Sequence, residues 1–137
     1  MISNIILASK SEVRRKILEK NGITCTVLPA NIDEDLIKDS LSKEGASPEL
    51  ISKNLAELKA NKISAKKNEN LVLGADSVID LNGEIISKPS DRLDALNILK
   101  KLNGKKHQLI SSVCISRNGS MIWNYTDKAT LTMKEMS

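Results

Sequence analysis

Apolar and polar positions along the chain switch between a period near 3.6 and a period of two. Ile5-Ile6-Leu7 is a short apolar run, and helical spacing follows through Val13, Ile17 and Leu18 as far as Asn21-Gly22, a helix stop signal. This predicts a strand over 4–7 and a helix over 12–21, with Ser9 and Glu12 fitting an S-x-x-E capping box. A second strand is expected over 24–28, ended by Pro29, and 31–45 starts acidic and is partly helical. Ser47-Pro48 opens the next helix, with Ser as cap and Pro at the first helical position, and Ile51, Leu55, Leu58 and Ile63 mark its apolar face. The third strand is placed at 71–75. Asn82-Gly83 between Val78-Ile79 and Ile85-Ile86 signals a hairpin. Ser90 is expected to cap a helix through Leu93, Leu96, Leu99 and Leu102, stopped by Asn103-Gly104. Alternation over 107–116 and 121–133 predicts two strands joined at Asn118-Gly119. No linker or low-complexity stretch interrupts the pattern, so 1–137 reads as one α/β domain.

Two strand ends carry candidate chemistry. Leu73-Gly74-Ala75-Asp76-Ser77-Val78-Ile79 places a carboxylate where an apolar strand runs out. Ligands of open α/β sheets bind outside the carboxyl ends of the strands. Asp76 there can hold a metal ion or accept a proton from water; an Asp that merely starts a turn has the same local pattern. The Ser-rich turn after the first strand offers N–H groups, hydroxyls and a positive helix end to an anion, with Arg14 in reach. A plain capped helix with a solvated Arg14-Arg15-Lys16 face accounts for that segment too. The Gly-rich loop of a P-loop is absent.

Composition narrows the class. With 137 residues, 40% hydrophobic and 28% charged, the chain can bury one core and is not disordered. No apolar run approaches the ~18 residues of a spanning helix, and no signal peptide is visible. Cys25 and Cys114 lack metal spacing and read as small buried residues in a reducing, cytoplasmic setting. The net charge of +4 is spread along the chain, and Trp123 and Tyr125 are its only aromatic side chains. Nucleic acid is therefore not the expected partner; a positive cleft that attracts a small anion explains the charge equally well. His107, the only histidine, enters a strand after a helix and is expected to play a structural part, satisfying backbone or carboxylate groups. Trp123 and Tyr125 share one strand face and are expected in the core or a dimer contact.

Leu7-Ala8-Ser9-Lys10-Ser11-Glu12-Val13-Arg14-Arg15-Lys16-Ile17-Leu18 resembles the opening L-A-S-x-S-P-R-R-x-x-L-L of the Maf family of nucleoside triphosphate pyrophosphatases. Further matches follow in the family's order. Ile32-Asp33-Glu34 resembles its D-E element, Leu55-Ala56-Glu57-Leu58-Lys59-Ala60 its L-A-x-x-K-A helix, and Leu73 to Ile79 its G-A-D-T-V-V segment. Ser87-Lys88-Pro89 resembles its G-K-P turn, and the stretch from Leu102 to Ser111 its L-S-G-R-x-H-x-V-x-T segment.

The resemblance implies a Maf/ITPase-like α/β fold, a twisted mixed sheet flanked by helices with a central cleft. It implies hydrolysis of (d)NTPs, modified or pyrimidine nucleotides among them, to the monophosphate and pyrophosphate. Asp76 becomes the proton acceptor, Glu34 and Asp76 the ligands of a divalent cation such as Mg²⁺ or Mn²⁺, and Ser9, Arg14, Lys59, Ser77 and Lys88 the substrate-binding set. A homodimer is also implied. The family's link to septum formation leaves a division-regulating protein as an alternative, beside a nucleotide-binding module without catalysis.

Departures matter as well. Glu12-Val13 stands where many members have Pro-Arg, and Ser77 stands for the usual Thr, so Val13 and Ser77 are the positions bearing on base choice. Members continue into a D-K-A-G-x-Y-x-I-Q-G segment whose Asp and Gln resemble substrate-site residues. The resemblance therefore predicts a chain incomplete at its C-terminus, with open strand edges and impaired folding or turnover.

Overall fold

The computed structural model describes residues 5–9, 12–67, 69–82, 84–86 and 91–132. In chain order the elements are β1 (Ile5–Leu7), α1 (Glu12–Lys20), β2 (Cys25–Val27), α2 (Glu34–Lys43), α3 (Pro48–Ser64), β3 (Val72–Leu81), β4 (Glu84–Ile86), α4 (Arg92–Leu102), β5 (Lys106–Arg117) and β6 (Ser120–Thr132). They build one mixed sheet in the order β2-β1-β3-β5-β6, with β4 on the far end of β3. β1 pairs parallel to both β2 and β3, whereas β3, β5 and β6 form an antiparallel meander. Asn118 and Gly119, at φ 54° and 81°, make the two-residue turn between β5 and β6 that the sequence predicts. The Gly119 amide donates to Ser64 Oγ at 2.7 Å, which fastens this turn to the end of α3.

Period-two alternation sets the faces of β3. Gly74 lies under α3, where a Cβ would collide with the Ala56 carbonyl oxygen and come within 2.8 Å of the Ala60 nitrogen. Ala56, Ala60 and Gly74 thus let helix and strand approach closely, and Ile6, Ala8, Ile63, Val72 and Cys114 complete the buried core around them. Cys25 and Cys114 are both buried free thiols, as expected.

Several expectations are corrected. The predicted third strand and the first arm of the predicted hairpin are one continuous strand, so Asp76 sits in mid-strand. Polar positions oppose polar positions across the ladder, Asp76 with Ser112 and Ser77 with Ser111, and pairing runs through them. Leu58 is 43% exposed and does not belong to the apolar face of α3, which is formed by Ile51, Leu55, Ala56, Ala60 and Ile63. Counting at 3.6 residues per turn, the centre of that face falls on Lys59. The cap of α4 is Asp91, which accepts from the Asp94 amide at 2.8 Å; Ser90 lies outside the described residues. Trp123 and Tyr125, expected in the core or a dimer contact, do not lie in the core. Their rings stack 6.3 Å apart, and they stand 50% and 56% exposed on β6.

Candidate active site

β1 stops early, and the site grows from that fact. The Ile6 amide donates to Leu71 O at 3.0 Å and the Ala8 amide to Leu73 O at 2.9 Å. The next carbonyl along the same edge of β3 is that of Ala75, beyond the end of β1. Two cations converge on it. Lys59 Nζ donates to Ala75 O at 3.2 Å from the α3 side, and Arg14 Nη1 donates at 3.4 Å from the α1 side. The edge where β1 leaves is the carboxyl end of the parallel part of the sheet, where ligands of such folds bind.

On the α3 side, Lys59 also donates to Asp76 Oδ1 at 3.2 Å and is ion-paired with Glu34 Oε1. The Lys59 and Asp76 side chains are only 11% and 6% exposed, and that of Glu34 is 34% exposed. Glu34 reaches them because it begins α2, whose first turn is fixed by Asp33 accepting from the Leu36 amide at 3.1 Å. The loop ahead of α2 is tied to α3 by Lys62 Nζ donating to Asn31 O at 2.8 Å. Burial pushes the Asp76 carboxyl above its ordinary value; the charges of Lys59 and Lys38 oppose this but are outweighed. Asp76 Oδ2 is buried and finds no donor among the described residues.

On the α1 side, Arg14 Nη1 donates to the buried hydroxyl of Ser9 at 3.2 Å. α1 and the sheet enclose a cleft of about 230 Å³, lined on the helix by Arg14, Ile17 and Leu18 and on the sheet by residues including Ala75, Asp76 and Ser77. Ser77 and Ser111 share a hydrogen bond of 3.0 Å at this cleft. Ser9, Arg14 and Ser77 are thus gathered on one side, Glu34, Lys59 and Asp76 on the other, and the Ala75 carbonyl joins them. Lys88 lies outside the described residues, as does the side chain of Val13.

Sequence reasoning passed over Ser52 and Ser112. Ser52 Oγ donates to Ser112 Oγ at 2.9 Å and lies 3.2 Å from the Asp76 carbonyl oxygen, and Ser112 shares a 2.9 Å bond with Thr126. The signal was present: Ser52 lies seven residues before Lys59 on the same helix face, and Ser112 alternates with the buried Ile110 and Cys114. His107, expected to play a structural part, has a buried Nδ1 with no partner among the described residues.

The donor set fits a hard divalent ion. Among the described residues no three His, Cys, Asp or Glu side chains gather as a metal cage. Mg²⁺-type sites need only one or two carboxylates, with water and substrate phosphate completing the shell. Glu34 and Asp76 supply two, and the donorless Asp76 Oδ2 is a buried lone-pair site suited to a cation.

The model of the Maf-like protein family matches residues 4–137. The nucleoside triphosphate pyrophosphatase of Pelagibacter ubique is 71% identical over 137 residues, all of this chain and 70% of that protein. The 7-methyl-GTP pyrophosphatase of Rhizobium etli is 37% identical, again over the whole chain and 69% of that protein. Among solved structures, the Ham1 protein of Staphylococcus aureus superposes with a TM-score of 0.57 at 19% identity, covering 93% of this chain and 69% of that one. That likeness speaks for the fold, a Maf/ITPase-like mixed sheet flanked by helices. The family match and these identities agree with the residues at the notch in the sheet: the chain belongs to the Maf-like family.

Proposed function

We propose that the protein is a nucleoside triphosphate pyrophosphatase, a hydrolase that cleaves the anhydride between the α- and β-phosphates. The observation that carries this reading is the notch beside β3, where a lysine and an arginine converge on one carbonyl next to a buried carboxylate. Such a site can hold a strongly negative triphosphate and accept a proton from water.

In this reading Ser9 and Arg14 bind phosphate oxygens from the α1 side and Lys59 from the α3 side, with Lys88 completing the set. Asp76 orients a water molecule and takes its proton. The water oxygen bonds to the α-phosphorus, the bond from that phosphorus to the bridging oxygen breaks, and its electron pair leaves with pyrophosphate. Glu34 and Asp76 would hold Mg²⁺ or Mn²⁺, which supplies charge neutralisation on the phosphates. Val13 and Ser77 are the positions proposed to bear on base choice. A cytoplasmic setting suits the two buried free thiols; no helix among the described residues is long and apolar enough to cross a membrane. The homodimer implied by the family resemblance is checked by sedimentation equilibrium.

The test is pyrophosphate release from a panel of normal, pyrimidine and 7-methylated triphosphates with Mg²⁺ or Mn²⁺. Asp76→Asn is expected to lower turnover by about 10²–10⁴-fold while nucleotide binding is retained. Undiminished release by Asp76→Asn would remove the assignment.

A further inference from the structure

Lys59 occupies an unusual place for a phosphate-binding lysine. An ammonium has three protons, and the structure gives it three acceptors: Glu34 Oε1, Asp76 Oδ1 and Ala75 O. Its side chain is 11% exposed, so in the free protein its charge is turned inward onto the two carboxylates. We infer that Lys59 is a stand-in cation. It holds Glu34 and Asp76 together while no metal ion is present, and gives them up when metal and nucleotide enter together. The inference rests on the reading of Glu34 and Asp76 as a divalent-ion site.

Three observations carry it. Glu34 and Asp76 come from different elements, α2 and β3, and Lys59 is ion-paired with both. Two carboxylates drawn to one site without a cation would repel each other. Next, Lys59 lies at the centre of the sheet-facing side of α3, with Leu55, Ala56 and Ile63 buried around it. A purely structural position of this kind is filled more favourably by an apolar side chain, because burying an ion pair incurs a large desolvation penalty. Finally, Asp76 Oδ2 is buried without a donor among the described residues, and a divalent ion can take that acceptor.

A divalent ion and the ammonium cannot both sit on the same carboxylate oxygens. Lysine carries its charge on a flexible stem of four carbons, so the ammonium can swing while the helix stays in place. It already touches the Ala75 carbonyl, the atom that Arg14 reaches from the other side. A triphosphate at the notch would therefore draw Lys59 away from Glu34 and Asp76 and open them to the metal. Metal and nucleotide would each tighten the binding of the other, as linkage requires.

The experiment measures Mn²⁺ binding without nucleotide, by the loss of the free-ion electron paramagnetic resonance signal, in the wild-type chain and in Lys59→Met. If the ammonium holds the carboxylates about nine-tenths of the time, its removal tightens Mn²⁺ binding about tenfold. Equal or weaker binding by folded Lys59→Met overturns the inference. Should Lys59→Met unfold in chelator, Mn²⁺ alone is expected to refold it, and failure to do so also overturns it. Wild-type binding of Mn²⁺ is expected to tighten in the presence of a triphosphate whose α–β bridge is methylene; unchanged affinity counts against the inference. Pyrophosphate release is assayed separately. Turnover by the wild type with no gain of Mn²⁺ affinity in Lys59→Met rejects the stand-in and leaves the proposed activity. A gain without turnover supports the stand-in and rejects the activity.

Discussion

Asp76 is buried deeply enough that desolvation outweighs the lysine beside it, so its carboxyl titrates above the ordinary value of 3.8. The sign of the resulting pH dependence follows from linkage. Below 3.8 the group is protonated in folded and unfolded chains alike, and its contribution to stability is fully present. As pH rises through the elevated folded value the contribution is lost, because ionisation is harder in the fold than outside it. With a chelator present, the melting temperature of the wild type relative to Asp76→Asn should therefore fall as pH climbs from the ordinary carboxylate value through that window. Asparagine has the carboxyl's shape without its charge, so the variant is expected to be the more stable one at neutral pH even as it loses turnover. Thermal melts of both chains across pH check this, and a constant gap between the curves would contradict it. Gain of stability with loss of activity is what a residue held for chemistry shows.

At the scale of elements, the distance between α3 and β3 decides where Lys59 can reach. Gly74 sets that distance, since a Cβ there meets backbone atoms of Ala56 and Ala60, which cannot turn aside. Gly74→Ala should destabilise the fold by about 1–3 kcal/mol or more in denaturant melts. Pyrophosphate release should fall beyond what the unfolded fraction explains, because the helix that carries Lys59 is pushed off the strand that carries Asp76. A second lever is the start of α2. Asp33→Ala removes the acceptor of the Leu36 amide and should cost about 1 kcal/mol in urea unfolding. It should also weaken Mn²⁺ binding through Glu34, the residue next to the cap.

For the whole molecule, burial is uneven. The centre, where α3 packs on β3 and β5, holds the fully buried Ile51, Leu55, Val72, Ile110 and Cys114. α4 buries only Leu102 and leaves Leu93, Leu96 and Leu99 exposed, and most of β6 is exposed as well. Amide hydrogen exchange should therefore be slowest in α3, β3 and β5, with α4 opening first. Similar protection across all of these elements would mean that α4 is covered in solution. The carbonyl that gathers the two cations lies past the end of the three-residue β1, on the ten-residue β3, a property of the sheet as a whole.

Local pattern alone was enough for most of the elements, because caps, turn pairs and hydrophobic spacing act over a few residues: Ser47-Pro48 opens α3 and Asn118-Gly119 turns the last hairpin, each through chemistry confined to its own neighbourhood. The family's ordered motifs likewise singled out Asp76, Glu34 and Lys59. Local pattern predicts a strand that ends before Asp76, because a polar Asp-Ser pair ends a strand unless its neighbours are polar too, and Ser111 and Ser112 lie far along the chain. The central position of Lys59 on α3 and the support of Asp76 by Ser52 and Ser112 were legible only as isolated polar residues among apolar ones. Their meaning depends on which helix covers which strand. The tertiary structure decided that, and with it which charges share a dry site, since burial and Coulomb interaction depend on distances in space that sequence separation does not contain.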